Sequence, residues 1–353
     1  NINMAYTDID KPSDYFNTKL YTGNGSSGHA ITGVGFQPDF LWLKPRSTTG
    51  YHRVFDVVRG AGKQIYPNET NQENTDTNQM SAFNSDGFTL GNETGSNANG
   101  TTFVAWNWKA NGSGSSNTAG SINSTVSANT TSGCSIVTVA NVGSANFTFG
   151  HGLGVAPSWV LAKSRDGGKW NNYFKSLGAG YTIQLPETGA KISNTAIWQN
   201  TNPTSSVVYS NGDQLDANES YVFYCFAEKQ GFSKFSSYTG NGNADGTFIY
   251  TGFKPAFVII KPSSYANSWL ILDNKRNTFN PTNTRLEADG TGADNSGLDY
   301  TDFLSNGFKI RTSNSHPNNS GGTLIYMAFA ENPFTTSTGV PACARWWLIE
   351  KYN

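Results

Sequence analysis

The chain spells one phrase twice. "LYTGNGSSGHAITGVGFQPDFLWLKPRS", Leu20 to Ser47, returns as "FSSYTGNGNADGTFIYTGFKPAFVIIKPSS", Phe235 to Ser264. At a constant offset of 217, Tyr21 matches Tyr238, Phe36 matches Phe253, Pro38 matches Pro255, Phe40 matches Phe257 and Lys44 matches Lys261. The register continues into Asp56-x-x-Arg59 and Asp273-x-x-Arg276. A fainter third copy, "APSWVLAKSR", sets Pro157, Trp159 and Lys163 on the same Pro, aromatic and Lys positions. Each copy ends alike, in "FVAWNWKA", "YVFYCFAE" and "LIYMAFAE".

Repeat units of roughly 100 residues are too long for a solenoid, whose units run about 20–50, so each reads as an independently closed domain. The spacing predicts an N-terminal segment over 1–19, module 1 over 20–110, module 2 over 134–231, module 3 over 232–334 and a tail over 335–353. Residues 111–133, almost free of apolar side chains, read as a flexible Gly/Ser/Asn-rich linker. The short second join, "AEKQGFSKFSS", predicts that modules 2 and 3 pack together. No stretch sustains a helical period, whereas period-2 alternation bounded by Gly, Asn and Asp is frequent. The expected fold class is all-β: tandem antiparallel β-sandwich modules, jelly-roll-like. Asn-Gly in "YTGNG" suits a tight turn.

Composition narrows the function classes. Charged residues are 14% of the chain and the formal net charge is -1, without a basic cluster, so neither a nucleic acid nor an anionic membrane surface is an expected partner. The apolar runs end well short of the about 20 residues a membrane span needs. "NINMAYTDID" reads as a start at Met4 preceded by three extra residues, without a signal sequence. Cys134, Cys225 and Cys343 show no metal or redox spacing and read as buried thiols.

No nucleophile elbow, zinc-helix motif or phosphate loop is present, so no catalytic residue, cofactor or metal is expected. His29, His52, His151 and His316 lack ligand spacing. The acidic stretch from Leu286 to Asp302 lacks the ligand pattern of a calcium loop and reads as solvated. Lys44, Lys163 and Lys261 read as strand-end lysines whose heads reach water. The Asp56–Arg59 and Asp273–Arg276 pairs read as ion pairs within a module, with Asn172 and Lys175 near the corresponding place in module 2. Loops after each lysine strand combine aromatics with amides, which suits the half-apolar surface of a sugar or a protein interface. Candidate ligand-binding residues are Tyr51, His52, Trp170, Asn171, Tyr173, Tyr265 and Trp269.

"YVFYCFAEKQGFSKFSSYTGNGNADGTFIYTGFKPAFVIIK", with "DFLSNGFKIR", "IYMAFAENPF" and the opening "MAYTDIDKPSDYFNTKLYTGNG", resembles a domain family of unknown function that recurs in virion-associated proteins of tailed bacteriophages, especially marine ones. The resemblance covers nearly the full chain except "ARWWLIEKYN", Ala344 to Asn353, which departs from the pattern and reads as a partner-binding extension. It implies a non-enzymatic virion protein made in the host cytoplasm, with other tail or capsid proteins as partners. Three readings stand: a tail-fibre adhesin holding host surface polysaccharide through loop aromatics, a capsid-decoration or head-fibre protein without ligand, and, less favoured, a polysaccharide depolymerase. By analogy with phage fibres the expected assembly is a homotrimer.

Overall fold

In each repeat, four neighbouring antiparallel strands run in the same order, opening, closing, lysine-bearing and return strand; they form a four-stranded sheet in module 1 and lie within eight-stranded sheets in modules 2 and 3. The opening strands are Phe16–Thr22, Cys134–Val139 and Ser233–Thr239, and the closing strands Thr102–Trp108, Tyr221–Phe226 and Thr323–Pro333. The lysine strands are Phe40–Pro45, Trp159–Ser164 and Phe253–Pro262, followed by return strands Arg53–Asp56, Trp170–Phe174 and Leu270–Asp273. The register superimposes the three repeats. Phe40, Trp159 and Phe257 face Trp108, Phe226 and Phe329 on the closing strands, and Asp56, Phe174 and Asp273 on the return strands. The computed structural model describes residues 6–343 and is nearly all β, of antiparallel sandwich type.

Side chains alternate across each of these sheets. In module 1, Leu41, Leu43, Phe103 and Ala105 turn toward the module's own second sheet and meet Ile31, Phe88 and Leu90. Their neighbours Phe40, Trp42, Trp106 and Trp108 turn the other way, into a core common to all three modules. Module 2 divides likewise, with Val160, Ala162 and Phe223 kept inside and Trp159, Leu161, Tyr224 and Phe226 sent to the common core.

Rings meet there across module boundaries. Phe40 lies 4.4 Å from Tyr224, Trp106 5.6 Å from Phe257 and Phe226 5.9 Å from Phe329, between ring centroids. Trp108 touches Phe226, Phe257 and Phe329. A sheet covered on both faces has no polar face to show, which is why "FLWLKP", "WVLAKS" and "YVFYCF" are buried at every position. The three sandwiches are therefore not independently closed, since each leaves an aromatic face that only the other two cover.

The segment 111–133 also differs from its expected flexibility. It carries strands Ser115–Asn117 and Ser124–Asn129, the second paired along the opening strand of module 2. Backbone hydrogen bonds need no apolar side chains, and the segment's polar groups find partners: Asn111 N–H donates to Ser127 Oγ and Asn129 Nδ2 to Ala110 O. Module 1 starts before residue 20, because its opening strand begins at Phe16. Residues 335–343 fold back onto the N-terminal segment, where Ser337 N–H donates to Asp10 Oδ1 at 2.6 Å. The Trp346–Trp347 extension lies outside the described residues. Among those described, no helix is long and apolar enough to cross a membrane.

Candidate functional site

The strongest polar feature is a set of three buried ammonium groups. Lys44, Lys163 and Lys261 have no exposed surface, so the expectation that they reach water is corrected. Each Nζ donates to three backbone carbonyls, matching its three donors. Lys44 reaches its own Pro45 O and, in module 3, Thr291 O and Gly292 O, at 2.8–3.1 Å. Lys163 reaches Gly167 O and Gly168 O at 3.0 and 2.6 Å and, in module 1, Thr70 O at 3.5 Å. Lys261 reaches Asn267 O and, in module 2, Thr188 O and Gly189 O, at 2.7–2.9 Å.

Module 1 thus grips module 3, module 2 grips module 1, and module 3 grips module 2. These head-to-tail contacts close on the third, as a heterologous contact must if it is to make a ring. Burial, the dominant cause, pulls each ammonium down to about 8.

The candidate aromatics belong to the same junctions. Register places His52, Trp170 and Trp269 at the start of, or one residue before, the return strands, and all three are buried. His52 accepts from Trp42 Nε1 at 2.8 Å through Nδ1, and its Nε2 donates to Glu287 O of module 3 at 3.0 Å. Burial holds its pKa well below the ordinary value, so the ring is neutral. Trp170 Nε1 donates to Tyr66 O of module 1 at 2.9 Å, and Trp269 Nε1 lies 3.3 Å from Gln184 O and Glu187 O of module 2.

Asn171 and Tyr173 are also interior; Asn171 Oδ1 accepts from Gln184 Nε2, and the Tyr173 hydroxyl meets Asn202 Oδ1. Tyr265 is half-buried and donates to Ser315 O at 2.8 Å. Tyr51 alone of the seven is exposed, at 43%. The reading of these residues as an exposed ligand surface is therefore corrected for His52, Trp170, Asn171, Tyr173 and Trp269, whose rings and amides are spent inside the protein.

A second layer of contacts distinguishes the junctions chemically. Arg59 Nε donates to Asp56 at 2.5 Å, and Tyr224 of module 2 donates to the same carboxylate at 2.6 Å. Glu73 joins Arg59 to Arg165 of module 2. Between modules 3 and 1 the same design recurs: Arg276 with Asp273, Trp106 Nε1 donating to Asp273 at 3.1 Å, and Asp294 joining Arg276 to Arg46. Asp294 is thus a junction residue rather than part of a solvated loop.

The residues of module 2 at these positions are Phe174 and Leu177, not the nearby Asn172 and Lys175. The closing strand that faces them offers Met327 where the others offer Trp106 and Tyr224. A thioether has no N–H or O–H with which to donate a hydrogen bond, so no carboxylate is needed to accept one.

The repeated "YTGNG" has its own buried partner, an asparagine absent from the candidates above. Asn97 and Asn318 end one-turn helices and are fully buried. Asn97 Oδ1 accepts from Asn24 N–H and its Nδ2 donates to Ser26 O and Gly91 O; Asn318 does the same with Asn241 N–H, Asn243 O and Thr312 O. Gly23 and Gly240 pass so close to these helix ends that a Cβ would lie 2.2 and 2.4 Å from a carbonyl oxygen. Gly25 and Gly242 take φ of +69°. The only sequence signal for the asparagines is their equal spacing before the closing strands.

His29, His151 and His316 each meet a single side-chain or backbone oxygen, and no group of three His, Cys, Asp or Glu among the described residues is placed to hold a metal. Cys134 and Cys225 are buried and unpaired, whereas Cys343 is exposed.

The closed three-module ring defines a structural class of β protein. The chain belongs to the family described as a domain of unknown function, DUF7483, whose match runs over residues 11–333 and so takes in all three modules. A comparison with curated proteins finds no match.

Two outcomes follow from the lysine junctions. Lys163→Met keeps the aliphatic stem but strips the donor from buried carbonyls, each costing about 1–3 kcal/mol, and should lower the midpoint of urea unfolding without changing its slope. The second concerns pH. The folded ammonium groups release their protons near pH 8, whereas unfolded lysines do so near about 10.4. Between these values the unfolded chain binds more protons, so stability should rise with pH. Unfolding at pH 7.5, 8.5 and 9.5 should show this rise, and Lys163→Met, which removes one of the three contributing groups, should reduce its slope by about a third.

Proposed function

We propose that this chain is a non-enzymatic structural protein of a bacteriophage particle surface, of the capsid-decoration or head-fibre kind. The observation that carries the reading is the ring itself, in which the repeated aromatics and lysines hold three modules to one another. The adhesin reading relied on loop aromatics, and five of its seven residues face the interior. The resemblance to virion-associated phage domains supplies the setting, and other virion proteins are the proposed partners. A low-charge surface over a doubly covered aromatic core suits a projection that must survive outside a cell. The three modules cover each other's aromatic faces, so the proposal requires no trimer to complete the core.

Immunogold imaging of washed, intact particles with antibody to this protein tests the reading. Label on the head, at regular positions, is the expected result. Particles without label, with the protein confined to the soluble lysate, would overturn it, and label at tail tips would favour the adhesin account instead.

A further inference from the structure

A cleft of about 410 Å3 opens where module 2 hands over to module 3, against the N-terminal segment. Its walls include Tyr6, Glu228, Gln230, Lys234 and Tyr250. Tyr250 lies on the edge strand Phe248–Tyr250, with Ile249 buried between two outward residues, Phe248 at 43% and Tyr250 at 56% exposure. The matching edge strand of module 1, His29–Thr32, is aligned by register: Ile31 faces Phe88 as Ile249 faces Phe308, and Thr32 faces Gly87 as Tyr250 faces Gly307. At the two outward positions module 1 has Ala30 and Thr32. The fold therefore does not require aromatic rings there, and leaving two of them about half exposed forgoes hydrophobic burial that the fold could otherwise use.

The cleft also carries convergent polar groups. The Tyr6 hydroxyl donates to Gly252 O at 2.7 Å and lies 3.4 Å from the Tyr250 hydroxyl, which orients the Tyr250 ring. Opposite, Glu228 accepts from Phe235 N–H at 2.9 Å and pairs with Lys234 at 3.3 Å, both side chains remaining partly exposed. The carboxylate keeps acceptor capacity and the ammonium and Gln230 amide keep donors. Among the described residues no strand pairs along the outer edge of Ser233–Thr239, whereas its counterpart in module 2 is paired with Ser124–Asn129. The short second join leaves open a space that the longer first join fills.

We infer that this cleft is a saccharide-binding site. An exposed ring flanked by a carboxylate, an amide and an ammonium matches a pyranose, which has an apolar C–H face and a rim of hydroxyls, and the cleft is of small-ligand size. One sugar ring stacks on Tyr250, with hydroxyls directed to Glu228, Gln230 and Lys234. The site is independent of the structural role, because none of these side chains joins the lysine junctions.

Saturation-transfer NMR on the full chain with maltotriose, cellotriose and chitotriose, alongside oligosaccharides released from host surface polysaccharide, tests the assignment. Transfer to ring C–H protons of at least one saccharide is expected. Tyr250→Ala should weaken binding about tenfold or more, Gln230→Ala should weaken it less, and Phe279→Ala, removing an exposed aromatic outside the cleft, should leave it unchanged. No transfer to any of these sugars, or undiminished binding in Tyr250→Ala, would overturn the site while leaving the particle-surface reading untouched.

Discussion

Everything in this architecture depends on three ammonium groups being taken out of water at the boundaries between modules. An unpaired buried charge is among the most expensive features a protein can carry. Here each is solvated by backbone: carbonyls from its own module and from the loop of a neighbour, all of which would otherwise face each other's partial negative charge. The lysine is thus both the donor the loops need and the reason the neighbour cannot drift away. Repeating the contact three times around a ring makes each module's position depend on the other two.

The common core supplies the complementary, non-directional part. Because each set of four strands is covered on both faces, its aromatics are not surplus hydrophobic surface but the inner wall of a shared volume. The junctions then set the orientation in which those walls meet. Two junctions add a carboxylate that accepts a hydrogen bond from the neighbour's closing strand, and the third replaces the whole arrangement with Phe174, Leu177 and Met327. Donor and acceptor disappear together, which avoids an orphaned buried charge.

Much of the module was legible in the sequence. The offset of 217, the closing segments and the strand-like runs mark the same residues that pair in the structure. Module 2 was faint because its Asp and Arg positions hold Phe174 and Leu177 after a one-residue shortening of the preceding loop. The arrangement of the modules was not legible. A lysine ending a strand ordinarily keeps its head in water, and the groups that capture Lys163 and Lys261 across the boundary are backbone carbonyls far along the chain, which have no residue signature. For the same reason Trp170 and Trp269 read as loop aromatics open to a ligand. The polar run 111–133 reads as a linker because composition reports the absence of a core, not the absence of a ladder. Nothing in the sequence marks Phe248 and Tyr250 as exposed, because only the pairing register sets them against Ala30 and Thr32.

The central claim is that three sandwiches behave as one cooperative unit. Differential scanning calorimetry of the intact chain tests it most directly. A single transition whose calorimetric and van't Hoff enthalpies agree is the predicted result. Resolved transitions for separate modules, or a calorimetric enthalpy severalfold larger than the van't Hoff value, would contradict it.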